Sequence, residues 1–585
     1  MLPHPTMRRS WIVLLAIAAL PFPSSRAQDD SAVPLPPFIV EEATKGPPWR
    51  YGQIPGFEIL SRCPDRVTRS LAEAHYRLHV LLNLLLPEQL QLTFAVPKVI
   101  IYYDEELQSA ASKEVMAAMV REQERKQPLP TMQMELPGRF GGRGIPVQIN
   151  AAPRFDFLPN LRLTDKDAMT VFALVREGAF KSDGLVLTRD YVSYLLFERT
   201  PTLPGWYAAG VLGLYDGMEF QTGELKFHSL VWISEAETDA VKMSPPAASP
   251  LRPLAQFLTI AMPIRGEPNA EQLRERWKAQ ATLLVRWALD GRTPAQRAAF
   301  SDFVARASFE PVTEASFQRG FGVDFATADA QLAAYLPVAV KKSTTLKPEH
   351  AIKVPKVELR NADEAEISRV KGDWERLEVA FVQKRSPELA PKYLEQARRT
   401  LLRAYDRGDR DPGLLANLGL CECDAGDDGR AREFLEAAAL RGPMRPRANY
   451  ELARLRFAEL ARNPEGAGGK LSTEQMSQVL APLFAARALS PAMPEVYELI
   501  AKAWSRSSVV PTRGHLAVLD EGVRFFPRRV ALVYQLAVLH AERGDTEDAS
   551  ALITLGLHLV TDEAERQRFT QLQARLAGSP HREAN

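Results

Sequence analysis

The stretch LLANLGLCECDAGDDGRAREFLEAAALRGP, residues 414–443, decides how the chain is read. Leu415, Leu418 and Gly419 are followed by Ala431, Leu435 and Ala438, and Pro443 closes the unit. Apolar residues at helical spacing on either side of a short Gly/Asp break describe two helices joined by a turn. Gly419, Ala431 and Ala438 are small where the two helices would touch, so the pair can approach closely while larger apolar residues fill the space between successive pairs.

The same pattern returns at a period near 34 residues. Val533, Leu536, Ala537, Ala549 and Ile553 form one further unit after Pro527, and Tyr497, Ile500, Ala501 and Trp504 open another after Pro491. Ala397, Leu401 and Ala404 suggest a weaker unit upstream. Pro443 and Pro491 are 48 residues apart, more than one period, and the Gly- and Pro-containing run Asn463 to Gly469 is the natural place for the excess. This arrangement resembles tetratricopeptide repeats over residues 362–578. Stacked helix pairs of that kind make a curved solenoid with a concave face. The resemblance implies a peptide or protein partner in the groove. Repeats that only brace the preceding domain are the alternative.

Working outward, 585 residues at roughly 100–200 per domain allow about three to five units. The 46% hydrophobic and 25% charged fractions are those of an ordinary globular protein. Beyond the N-terminus no run approaches the ~18 apolar residues of a membrane span. With 73 basic against 72 acidic residues, charge gives no reason to expect nucleic acid or an anionic membrane as partner.

Residues 1–27 read as a secretory signal: Arg8 and Arg9, then an apolar run from Trp11 to Phe22, then Ser25-Arg26-Ala27 as a cleavage site. Export to the periplasm or beyond the cell is therefore expected, with a mature chain beginning near Gln28. A proline-rich segment follows over 28–50. Phe57 to Ser61 and Lys98 to Tyr103 read as strands and Arg66 to Leu86 as a helix, so this part opens as α+β. From Val186 to Val340 helices dominate. The lysine-rich run from Val340 to Pro348, ending near Arg360, reads as a linker over 341–361. Cys63, Cys421 and Cys423 are an odd set whose Cys-x-Cys pair points to different helix faces, so structural roles are expected rather than a disulfide framework or zinc knuckle.

The middle region carries Leu185-Val186-Leu187-Thr188-Arg189-Asp190-Tyr191-Val192-Ser193-Tyr194-Leu195-Leu196, followed by Leu203-Pro204-Gly205-Trp206-Tyr207-Ala208-Ala209-Gly210-Val211. In layout this resembles the gluzincins, thermolysin-type zinc peptidases in which one helix carries His-Glu-x-x-His and the next supplies a glutamate ligand. The likeness extends to Phe317-Gln318-Arg319-Gly320-Phe321-Gly322. Carried across, the first histidine position holds Arg189, the catalytic glutamate position Asp190, the second histidine position Ser193 and the glutamate-ligand position Ala209. Two imidazoles four apart can share a zinc at about 2.0–2.1 Å. A guanidinium has no lone pair to give, and alanine has no donor at all. Asp190 could orient a water, but without a metal to lower that water's pKa it has no competent nucleophile. The resemblance thus implies a degenerate gluzincin-like fold over 51–340, with no catalytic residues, cofactor or metal. An ion pair from Arg189 to a nearby carboxylate such as Asp190 would fill the vacated site.

Other patterns read as structural. His75 and His79 are four apart but lack a third ligand, and two partly buried histidines on a packing helix are expected. The remaining histidines of the mature chain, His228, His350, His515, His540, His558 and His581, are scattered. Gly138 to Gly144 has no strand before it and reads as a surface loop rather than a phosphate loop. No Gly-x-Ser-x-Gly occurs. Asp216 with Glu219, or Glu219 with Glu224, are better read as solvated carboxylates than as a glycosidase pair. Trp206, Tyr207, Tyr215 and Phe220 could line a groove or fill a core. The expectation is an exported α+β gluzincin-like domain followed by an all-α solenoid that binds or scaffolds peptides or proteins without catalysis. A zinc peptidase with unorthodox ligands and a structural assembly factor are the alternatives.

Overall fold

The computed structural model describes residues 46–92, 98–104, 107, 132–135, 146–149, 161–175, 189–199, 201–221, 224–243, 251–259, 269–346, 353–384, 387–560 and 562–578. The expected signal at 1–27, most of the proline-rich segment and the Gly138–Gly144 loop lie outside them.

The first unit is built on strands β1 (Arg50–Ile54), β2 (Phe57–Ser61) and β3 (Lys98–Asp104), with helix α1 (Asp65–Leu85) connecting the last two. A separate ribbon pairs β4 (Met132–Glu135) with β5 (Pro146–Ile149), so a strand does precede the Gly138–Gly144 run, contrary to the sequence expectation. Strands β6 (Leu161–Thr164) and β7 (Met169–Val175) complete the main sheet, in which β2, β3 and β7 are parallel and β6 is antiparallel to β7. Because successive side chains alternate between faces, Ile59, Ile100, Tyr102, Val171 and Ala173 point to α1, where Val67, Leu71, Leu78 and Leu82 meet them. Leu60, Ile101, Tyr103 and Phe172 point the other way, and that face is also buried. Continuous apolar runs such as Val99 to Tyr103 are what two covered faces require.

The helical half of this unit contains α2 (Arg189–Phe197), α3 (Gly205–Asp216), the strands β8 (Met218–Gln221) and β9 (Glu224–Phe227), α4 (Glu235–Met243), α5 (Leu254–Phe257), α6 (Ala270–Leu289), α7 (Pro294–Ala307), α8 (Glu314–Phe321) and α9 (Phe325–Ala339). Helix α3 is apolar all round and buried over most of its length, the mark of a central helix. It crosses α6 at Gly210, where a β-carbon would lie 2.6 Å from the Ala281 carbonyl oxygen.

The stretch expected as a linker is laced into the sheets. Strand β10 (Thr344–Leu346) pairs with β9, and β11 (Arg360–Asn361) pairs with β1 at the sheet edge. Buried Arg286 holds it by donating to the Lys342 carbonyl at 2.5 Å, and Thr344 donates to Asp290 at 3.0 Å. The lysines signalled a solvated tether because their side chains are exposed, yet backbone pairing needs no apolar side chain.

The rest is a tetratricopeptide-like helical solenoid. Its pairs are α10 (Glu364–Gln383) with α11 (Ala390–Asp406), α12 (Pro412–Ala425) with α13 (Asp428–Arg441), α14 (Pro446–Leu460) with α15 (Thr473–Arg487), α16 (Pro494–Ser505) with α17 (Arg513–Phe525), and α18 (Val530–Arg543) with α19 (Thr546–Leu559). Helix α20 (Glu563–Gly578) closes the end with Phe569 and Leu572. Residues 461–472 form the long connection inside the third pair, which is where the extra length falls; Leu471 ties it down by donating to the Arg506 carbonyl at 2.7 Å. Helix α10 does double duty: Val370, Trp374 and Leu377 cover the second face of the sheet, with Trp374 5.5 Å from Phe172 ring to ring. The two units therefore share a core.

Candidate binding cleft between the sheet and the helix array

Asp165 to Ala168 form the turn between β6 and β7, closed by an Asp165 N–H to Ala168 carbonyl bond of 2.8 Å. This turn enters the array. Asp165 accepts from Arg376 at 2.7 Å, Arg445 at 3.0 Å and Arg447 at 2.6 Å. Asp167 accepts from the Arg445 guanidinium at 3.1 Å and from the Arg447 backbone N–H at 2.8 Å. Arg376 also donates to Asp373 at 2.9 Å and Asp424 at 2.8 Å. The Arg376, Asp165 and Asp167 side chains are almost wholly buried. Burial pushes the Asp165 carboxyl up, but Arg376, Arg445 and Arg447 outweigh it and hold it well below the usual carboxylate range. Glu58 makes a second tie, accepting from Tyr51 at 2.6 Å and Arg369 at 3.0 Å.

Beside this clasp lies a cavity of about 670 Å³. One wall is Leu92 and Lys98 at the head of β3, another is Tyr194, Phe197 and Arg199 at the end of α2, and the third is Pro491, Ala492 and Pro494 from the array. Lys166 at the turn lies 3.6 Å from Glu495 and 5.0 Å over the Tyr450 ring, and Arg162 stacks 4.7 Å over Tyr194. Phe197 is exposed. Burial, and next to it the Arg199 charge, push the Lys98 ammonium down to about 8. Burial pushes Arg199 down to about 10. A Lys and an Arg in this state, aromatic faces and an opening between two units together suit a polar ligand with an apolar part.

Arg189 and Ser193 lie on α2 and Ala209 on α3. Arg189 donates to Asp216, at the end of the next helix, at 3.0 Å; the side chain of Asp190 is outside the described residues. Burial raises the Asp216 carboxyl and Arg189 counters it. Ser193 is half-buried and Ala209 is buried in the core. A guanidinium already paired, a hydroxyl and a methyl do not fit zinc. Glu219 faces His228 at 3.1 Å.

His75 and His79 are fully rather than partly buried. Tyr102 OH and His75 Nδ1 are 2.8 Å apart, and His79 Nε2 and Tyr191 OH 2.9 Å. Burial holds His75 down to about 4, so it is neutral, and His79 well below its usual value. Trp206, Tyr207 and Tyr215 belong to the core; Tyr207 donates to the Leu85 carbonyl. The side chain of Phe220 is outside the described residues. Cys63 and Cys421 are buried and Cys423 half-buried, all as free thiols. Leu415, Leu418, Ala431, Leu435, Ala438, Leu536, Ala537 and Ala549 are buried in the array. Gly419 backs onto Leu435, and Pro443 lies in the exposed turn before α14.

Sequence reading missed the clasp. Its signal was Arg445-Pro446-Arg447 at the start of α14, where the helix dipole disfavours cations unless a carboxylate answers them.

No family model matches the chain, and no curated protein does. Its neighbours among solved structures include two tetratricopeptide proteins. TTC0263 from Thermus thermophilus, a thermophilic TPR protein, is 18% identical, with 34% of this chain and 99% of that chain covered and a TM-score of 0.24. YrrB, a TPR protein with an unusual peptide-binding site, is 14% identical over 34% of this chain and 90% of its own, with a TM-score of 0.26. Pseudomonas aeruginosa pilF is 16% identical over 35% and 84%, with a TM-score of 0.24. Among the described residues no helix is long and apolar enough to cross a membrane.

Proposed function

We propose that this protein is an exported, non-catalytic scaffold that binds a peptide or protein segment in the cleft between its sheet and its helix array. The observation that carries this is the roughly 670 Å³ opening, with cations and aromatic rings around it, beside a clasp that fixes its two sides relative to each other. A rigid cleft with both apolar and charged walls favours binding because little is lost in ordering it. Export rests on the Arg8-Arg9, apolar and small-residue pattern of residues 1–27. The reading of the first unit as a peptidase-like frame without its chemistry rests on Arg189, Ser193 and Ala209 standing where ligands are needed.

The test is a photo-crosslinking amino acid placed at Phe197 in the full chain, with the same group at exposed Leu440 as control. Partner segments from the native compartment, identified by mass spectrometry, should attach at 197 and not at 440. Equal labelling at both positions, or none at 197, defeats the proposal. Bracing of the first unit is favoured as a second role by Trp374 on Phe172, but it leaves α17 to α20 to be accounted for.

A further inference from the structure

The charges around the cleft are not alike. Asp165 and Asp167 are neutralised by the clasp arginines, Lys166 faces Glu495, and Arg162 stacks on Tyr194. Lys98 and Arg199 remain. Among the described residues Lys98 lies over the Phe57 ring, 6.0 Å away, and Arg199 Nε donates to the Pro201 carbonyl at 3.3 Å. Among the described residues neither has a carboxylate within ion-pair distance, and the buried Arg199 Nη1 has no hydrogen-bond partner. Glu198, although adjacent in sequence, pairs with neither. Two cations desolvated side by side repel each other, and leaving one unanswered is among the larger penalties a fold can carry. The arginines of the clasp, in contrast, are matched by acids.

We propose that Lys98 and Arg199 together receive a carboxylate of an acidic peptide, with Phe197 and Tyr194 beside it taking the peptide's apolar part. This deepens the scaffold reading and rests on it. A planar guanidinium offers two parallel N–H groups to the two oxygens, and the ammonium adds a point charge from the strand side. The lowered proton affinity of Lys98 is what an incoming anion would reverse, so binding and protonation are linked. The array contributes Pro491 and Pro494 at the far wall, which have no N–H to compete for the anion.

The experiment measures the acetylation rate of Lys98 by mass spectrometry on the mature full chain at pH 8, with tetraglutamate, tetraglutamine or inorganic phosphate at equal concentrations. Tetraglutamate should slow Lys98 labelling about tenfold, the scale of one charge-assisted hydrogen bond, and leave Lys384 unchanged. Arg199→Gln should abolish that protection, and Arg199→Lys, which keeps the cation, should restore part of it; circular dichroism checks the fold of both. Equal protection by tetraglutamine or by phosphate, no protection, or protection that survives Arg199→Gln overturns the proposal. Crosslinks at position 197 with no protection of Lys98 would remove this inference and leave the scaffold reading standing.

Discussion

Asp165 and Asp167 sit in a hairpin turn, where aspartates are ordinarily solvated, yet here they are buried against Arg376, Arg445 and Arg447. A buried ion network is not in itself worth more than apolar packing, but removing one member leaves the others uncompensated. Asp165→Asn should therefore cost roughly 3–5 kcal/mol, measured by urea unfolding at pH 7. The pH dependence has a definite sign. A carboxyl held below its unfolded value contributes stability above about pH 4, and that contribution is lost as pH falls further. The wild-type melting temperature should fall more steeply than that of Asp165→Asn between pH 5 and pH 3; parallel curves would show that Asp165 is not the group responsible. The pairing itself was not legible around Asp165-Lys166-Asp167, because its arginines are more than two hundred positions away; the one sign was Arg445-Pro446-Arg447 at a helix start.

At the scale of elements, α10 shows what a helix must contain to serve two neighbours. One side presents Val370, Trp374 and Leu377 to the sheet, while Gly372 meets Leu401 of its own partner helix, where a β-carbon would lie 2.5 Å from Cγ. Between them Glu378 is fully buried and accepts from Trp374 Nε1 at 2.7 Å. Burial, and then the Glu375 charge, push its carboxyl well above the usual range. A raised acid stabilises the fold fully below its unfolded value near 4.3 and loses that contribution as pH rises toward the folded value. Glu378→Gln keeps an acceptor for Trp374 and has no charge to bury. It should melt within a degree or two of wild type at pH 5 and be more stable by at least ~1 kcal/mol at pH 8. An equal difference at both pH values would argue against a buried ionisable group. The repeats were legible because Gly419, Ala431 and Ala438 mark contacts local in sequence. The second covered face of the sheet was legible only as an apolar run from Val99 to Tyr103, because what covers it lies in another unit.

For the whole molecule, the shared core, the clasp and the edge strand β11 tie the two units into one body. A protease site inserted within residues 347–352 and cut after purification should leave both fragments co-eluting on size exclusion and melting as one transition. Separation into two stable pieces would show that the contacts between units are weak. Lysine-rich composition over 341–361 pointed to a tether, and it was the pairing of Thr344–Leu346 and Arg360–Asn361, invisible to composition, that decided otherwise. Two adjacent helices at Arg189–Phe197 and Gly205–Asp216 were legible as apolar runs, while the Arg189 to Asp216 pair depended on how those helices lie against each other.

The contact of Trp374 with Phe172 also sets an order of events during synthesis. The two residues are 202 positions apart, so at about 5–20 residues per second the face containing Leu60, Ile101 and Phe172 exists for roughly 10–40 s before its cover has been made. Throughout that interval the nascent chain presents a naked apolar sheet to its surroundings, and a holding chaperone on the growing polypeptide would have its target there.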